Sequence, residues 1–265
     1  MDKQNGMSFG LAWYSAPVLF FVGILALLAT WLCMEPAALR HFFDQDGYSP
    51  FELATVPFFA AIVPAVWWKC PFSGSRRRRT ILCLAVSCVA LMAVVKELDW
   101  HLWAMKGLFP DFVNADGKVY GLLRANGKAL SGTPFKMPVL LHAGVPIAAK
   151  ALIVAYFAAF FGVFAATLAY FAKPYVLGVF RLQPVAWSVS CFGVSGVMVQ
   201  LCDRIPAWYR HVAGLPKPKD GAVDAVGALF TALEEGGEMM IACFALWAII
   251  QSHRLLARCN AGENA

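Results

Sequence analysis

The sequence predicts an all-α, polytopic transmembrane helical bundle of roughly six spans, and three observations carry that prediction. Hydrophobic residues make up 60% of the 265-residue chain and charged residues only 14%, against about 25% charged in soluble domains. The mean hydropathy is +0.63. The apolar residues are gathered into long stretches of about 20, the number that crosses a hydrocarbon core at about 1.5 Å per residue.

The spans follow in order. Leu11–Cys33 is preceded by a single basic residue, Lys3, and no small-residue cleavage site follows it, so it is expected as an uncleaved first helix. Phe51–Trp68 is the second and opens on Glu52. Thr80–Trp100 is the third, preceded by the run Arg76 to Arg79 and ending in Lys96-Glu97-Leu98-Asp99-Trp100-His101. The loop Leu102–Met137 is polar with several glycines and is expected on the extracytoplasmic side. Its Asn126-Gly127 is a type I′ turn signal between Val119–Ala125 and Lys128–Leu130, so a small hairpin and a plain irregular loop both remain open. Pro138–Ala172 is too long for one simple crossing. His142, Pro146 and Lys150 interrupt it, so Pro138–Lys150 is expected as an interfacial or kinked lead-in to Ala151–Ala172. Pro184–Cys202 is the fifth span and ends on Asp203-Arg204. Ala225–Gln251 is the sixth and carries Glu234, Glu235 and Glu238 in its first half. The whole is read as a single integral membrane domain, residues 1–265.

The net charge of +6 does not point to nucleic acid, because four of the positives form the one Arg run in a short loop between spans. That run reads as a topogenic cytoplasmic anchor, with anionic lipid headgroups as the alternative partner. With that run included, the basic residues divide evenly between the two sets of loops. The Arg run sits directly beside two spans, where the positive-inside rule has most force. Both termini are therefore expected in the cytoplasm of a bacterial inner membrane. The eight cysteines show neither a CxxC nor a zinc-type spacing, and most lie in apolar runs, so no disulfide framework is expected.

Ionisable groups in a bilayer are costly and usually face a polar interior, so the acids and histidines in or beside the spans are the candidate site. In the expected topology Glu52, Glu97, Asp99, His101, His142, Asp203, Glu234, Glu235 and Glu238 all fall at one membrane face. If the third span continues, Glu97 and His101 are i and i+4 and share a helix face; Glu234 and Glu238 repeat that spacing. A later start to the last helix would instead make Glu234 and Glu235 an ordinary acidic first turn. Gly236 and Gly237 remove side-chain bulk beside these acids, so a helix or ligand can come close. Mixed carboxylate and imidazole donors suit Zn²⁺, Mn²⁺ or Fe better than Mg²⁺ or Ca²⁺. The candidate metal ligands are Glu97, His101, Glu234, Glu238 and His142, and the candidate acids or bases Asp99, Glu235 and Glu52. The simpler alternatives are a first-turn acid at Glu52, a hydrogen-bonded core histidine at His142 and a local ion pair at Asp203-Arg204.

Three segments carry a resemblance: Asp46-Gly47 with Phe51-Glu52-Leu53-Ala54-Thr55, then Lys96-Glu97-Leu98-Asp99-Trp100-His101, then Glu234-Glu235-Gly236-Gly237-Glu238. Over roughly residues 44–101 and 224–251 the chain resembles a broad group of uncharacterised bacterial polytopic inner-membrane proteins. The first motif here has two extra residues, and Lys96 stands where the group has Gly or Arg. The resemblance brings sites but no settled activity. In site chemistry alone the chain is similar to the membrane-hydrolase superfamily of alkaline ceramidases and adiponectin-type receptors, but it lacks their seventh span and their H-x-x-x-H. The expectation is metal-assisted hydrolysis or transfer on a lipid-like substrate, with membrane lipids as partners. A proton-handling transporter and a membrane interaction protein of the immunity type are the alternatives.

Overall fold

In the computed structural model, described for residues 10, 12–43, 49–72, 74–114, 118–120, 122, 134–135, 137–214 and 224–260, the chain is all-α. Its helices are α1 (Ser15–Cys33), α2 (Pro36–Phe43), α3 (Pro50–Lys69), α4 (Arg76–Glu97), α5 (Trp100–Leu108), α6 (Met137–Leu140), α7 (Ile147–Phe180), α8 (Pro184–Val212) and α9 (Ala225–Asn260). Six are long and apolar enough to cross a membrane: α1, α3, α4, the Ile147–Thr167 part of α7, α8, and the Ala225–Arg258 part of α9. Phe21, Leu25 and Leu32 on α1, Ile81 and Leu84 on α4, and Val194 and Val197 on α8 are each more than half exposed. Such outward apolar faces suit lipid rather than water, and the protein is a multi-pass membrane protein.

The spans agree with the expected six, but several boundaries move. The first helix starts at Ser15, not Leu11. The third ends at Glu97, not Trp100. Leu98 and Asp99 form a turn with Asp99 in the left-handed region at φ 50°, and a separate helix, α5, begins at Trp100. The lead-in to the fourth span is a true break: α6 stops at Leu140, Leu141–Pro146 turn, and α7 starts at Ile147 rather than Ala151. Pro146 lies one residue before α7, where its fixed φ suits a helix start. α7 then continues through Pro174 to Phe180, and α8 continues through Pro206 to Val212, so Asp203 and Arg204 lie inside α8 and not at its end. α2, between the first two spans, is a helix not expected from sequence. The Asn126-Gly127 turn, and Asp46-Gly47 of the first motif, lie outside the described residues.

The chain forms two compact units, Leu91–Tyr170 and the remainder, Met1–Ala90 with Phe171–Ala265. In the larger, α9 is the central helix: it packs along α8 most extensively and also against α1, α2 and α3. Small residues make this possible. Ala228, Ala232 and Ala242 of α9 are buried, and Gly236 and Gly237 lie within it. A Cβ on Gly236 would run into Leu27 of α1, and one on Gly237 would come 2.7 Å from Val199 and 2.8 Å from Met198 of α8. Close backbone approach of this kind drives helix association in lipid, where burial from water supplies no force. Gly23 of α1 reciprocates, its absent Cβ leaving room for the Met240 sulfur. At one end of α9, Leu39 and Phe43 of α2 pack with Ala228 and Ala232, and the Trp31 indole donates to the Ala225 carbonyl at 3.0 Å.

Towards the other end lies a buried polar network. The Ser188 hydroxyl donates to the Gln251 carbonyl oxygen at 2.7 Å, and the Gln251 amide donates to the Gly10 carbonyl at 3.0 Å and the Ser15 hydroxyl at 3.2 Å. It ties α1, α8 and α9 together at a depth where an unmet polar group is expensive. Gln251→Leu keeps the side-chain bulk, strands the Ser188 hydroxyl and leaves Ser15 only the Trp247 indole at 3.5 Å. We expect a loss of about 1–2 kcal/mol, read as a lower thermal unfolding midpoint of the detergent-solubilised protein than wild type.

In the smaller unit, described residues of the Leu102–Met137 segment contribute to an apolar core. Met105 of α5, Phe112, Val113, Val119, Leu122, Val139 and Val145 form one buried cluster with Ala149 and Ile153 at the start of α7. An isolated antiparallel bridge joins Val113 and Val119.

Candidate functional site: carboxylates of the last helix

α9 begins at Ala225, so its three acids are not a first turn. Asp224 is the residue before the helix. Its carboxylate accepts from the Gly227 amide and is paired with Arg210 at 3.2 Å, and its carbonyl accepts from Ala228 at 3.0 Å. With the cap supplied there, Glu234, Glu235 and Glu238 fall in the third and fourth turns, inside the bundle. Glu238 is 9% exposed, and Glu234 and Glu235 are half-buried. Carboxylate oxygens of Glu235 and Glu238, i and i+3, lie within 4.8 Å of each other. The oxygens at this spacing are those of Glu235, expected as an acid or base, and Glu238, expected as a ligand. Like charges this close repel strongly where the dielectric is low, and a cation placed between them removes the repulsion. Gly236 and Gly237, between the two acids in sequence, bring α1 and α8 close on either side, as expected.

Glu97 and His101 do not share a helix face, because the break at Asp99 comes between them. Asp and Asn tolerate the left-handed conformation better than most residues, so Asp99 serves the turn; its carbonyl accepts from Leu102 and Trp103. Glu97 is buried, its carboxylate paired with Lys96 at 3.1 Å. His101 lies against the Phe135 ring edge at 4.8 Å between centroids and stacks on Tyr156 at 6.5 Å. Its Nδ1 is 3.4 Å from the Val95 carbonyl, and since a carbonyl only accepts, that nitrogen carries the proton. His142 sits in the turn before α7, its Nδ1 accepting from the Gly144 amide at 3.0 Å.

Glu52 completes a capping box. The Ser49 hydroxyl accepts from the Glu52 amide at 3.0 Å, and the Glu52 carboxylate accepts from the Ser49 amide at 2.7 Å. The S-x-x-E spacing at Ser49–Glu52 is visible in the sequence and signals this role. Asp203 and Arg204 form an exposed local pair at 3.1 Å. Residues missed from sequence are Asp224, which stands directly before an apolar helix as N-caps do, and the Gln251, Ser188 and Ser15 network, which no spacing rule marks.

Comparison with protein-family models, with curated proteins and with solved structures finds no match for the chain. The site therefore rests on its own chemistry.

Burial holds the His101 imidazole below the ordinary histidine value of 6.5, with Lys96 adding to the effect and the Val95 carbonyl and Asp99 opposing it. The stability this neutral ring contributes is complete above the ordinary value and is lost as pH falls through the lower folded value. A ring resonance titrating below 6.5 and missing in His101→Gln is expected. The unfolding midpoint of wild type should also fall more steeply on acidification than that of the variant.

Proposed function

We propose that the protein is a bacterial inner-membrane enzyme whose working site is the Glu235–Glu238 pair of α9, holding a divalent transition metal for hydrolysis or group transfer on a lipid-like substrate. The observation that carries this reading is the pair itself: two carboxylates within 4.8 Å, one of them 9% exposed, midway along an apolar helix. Carboxylate oxygens suit Mn²⁺ among these ions, and Zn²⁺ or Fe would need an imidazole or thiol donor in addition. A bound ion of this kind supplies a Lewis acid that polarises an ester or amide carbonyl and acidifies water. Glu234, one residue before the pair, is the acid available for proton transfer. The basic run Arg76–Arg79 supports an orientation with both termini in the cytoplasm and the start of α9 at the outer face.

Elemental analysis of detergent-purified, chelator-free protein tests the reading. Wild type is expected to hold near-stoichiometric Zn, Mn or Fe, and Glu238→Ala and Glu235→Ala to lose it while remaining folded. Glu97→Ala, measured alongside, shows whether the buried acid of the smaller unit belongs to the ligand set. Asp99→Gly keeps the left-handed turn and removes only the carboxyl, so any effect on activity reads that carboxyl alone. Metal-free wild type would overturn the metalloenzyme and leave the acids to proton transfer or helix packing.

A further inference from the structure

At the opposite end of the larger unit a cavity of about 350 Å³ opens between the α3–α4 connection and the last turns of α9. Arg79 and His253 line it together with Phe72, Leu256 and Gly74. Its walls thus pair a guanidinium and an imidazole with apolar side chains, Cys70 and Ala257 completing the lining. His253 Nδ1 lies 2.9 Å from the Lys69 carbonyl, which only accepts, so Nδ1 donates there, and Nε2 donates to an anion when the ring is an imidazolium.

The electrostatics favour an anion. Arg76, Arg77, Arg78 and Arg79 are all exposed and fill the first turn of α4, which holds no acid. That is the positive end of the helix dipole, where four further cations repel both it and one another. Gly74, at φ 110°, makes the sharp approach to the helix, and a Cβ there would lie 3.1 Å from the Arg78 side chain. The Ser75 hydroxyl accepts from the Arg78 amide at 3.3 Å and starts the helix. Arg79 is therefore held at the cavity by a defined turn, and Arg77 does not line it.

We propose that this cavity seats the phosphate of an anionic membrane lipid, held by Arg79 and His253, with the adjoining apolar part of the lipid against Phe72 and Leu256. Guanidinium and imidazolium are natural phosphate donors, and the site sits where spans α3 and α4 meet the interface. A lipid headgroup differs from free phosphate in using the two apolar walls as well.

The test is calorimetric titration of the full-length protein in detergent with short-chain phosphatidylglycerol, phosphatidylcholine of the same chain length, and inorganic phosphate. Wild type is expected to bind phosphatidylglycerol saturably and at least about tenfold more tightly than either of the others. Arg79→Gln should weaken that binding about tenfold, as loss of a charge-assisted hydrogen bond does. Arg77→Gln removes the same charge away from the cavity and should cost less than about threefold. Equal losses in the two variants would mean diffuse surface charge and overturn the site. So would equal binding of the two lipids, and inorganic phosphate binding as tightly as phosphatidylglycerol would overturn the lipid as its ligand. His253→Ala, if it leaves phosphatidylglycerol binding unchanged, removes the imidazole from the site.

Discussion

Four other helices of the larger unit are built against α9, which depends on a constraint specific to lipid. Apolar side chains gain nothing by leaving hydrocarbon for a protein interior, so helices associate through close backbone approach and shared polar contacts. α9 supplies both. Ala228, Ala232, Gly236, Gly237 and Ala242 let its neighbours come near, and Gln251 fastens α1 and α8 towards its far end. The helix remains continuous from Ala225 to Asn260 because Asp224 satisfies its first amides and no proline interrupts it. That continuity keeps Glu234, Glu235 and Glu238 away from the headgroup end and inside the bundle.

The same geometry links packing to the candidate chemistry. The two glycines that admit α1 and α8 lie between Glu235 and Glu238, so the acids sit beside a close approach of helices. Bringing carboxylates into such a place is unfavourable on electrostatic grounds alone, and packing residues of similar size would serve stability better. Their presence there is the physical reason to look for function at this level of α9. Elsewhere the acids and histidines have local structural duties: Glu52 caps α3, His142 closes the turn before α7, and Arg210 holds the Asp224 cap.

The smaller unit shows how a segment of polar composition acquires a core. Met105, Phe112, Val113, Val119 and Leu122 are too scattered in sequence to form a periodic pattern, yet they gather on Ala149 and Ile153 of α7. His101 is half-buried among aromatic rings there, and that desolvation lowers its pKa.

By itself the sequence determined the all-α membrane architecture, the six spans and the stretches that contain the acids, because span length and hydropathy follow from bilayer thickness and need no partner. The Ser49–Glu52 and Asp224 caps, missed from sequence, also carry local signals, since capping is a local interaction. Only the tertiary structure decided which acids belong together. The i, i+4 pairing of Glu97 with His101 assumed a continuous helix, and a single left-handed residue, Asp99, ended it. Whether Glu234 and Glu235 formed a first turn or lay mid-helix depended on a helix start ten residues away in sequence. The Gln251 network and the Arg79–His253 cavity join residues far apart in the chain, and a contact of that kind is fixed by helix packing, which no local pattern records.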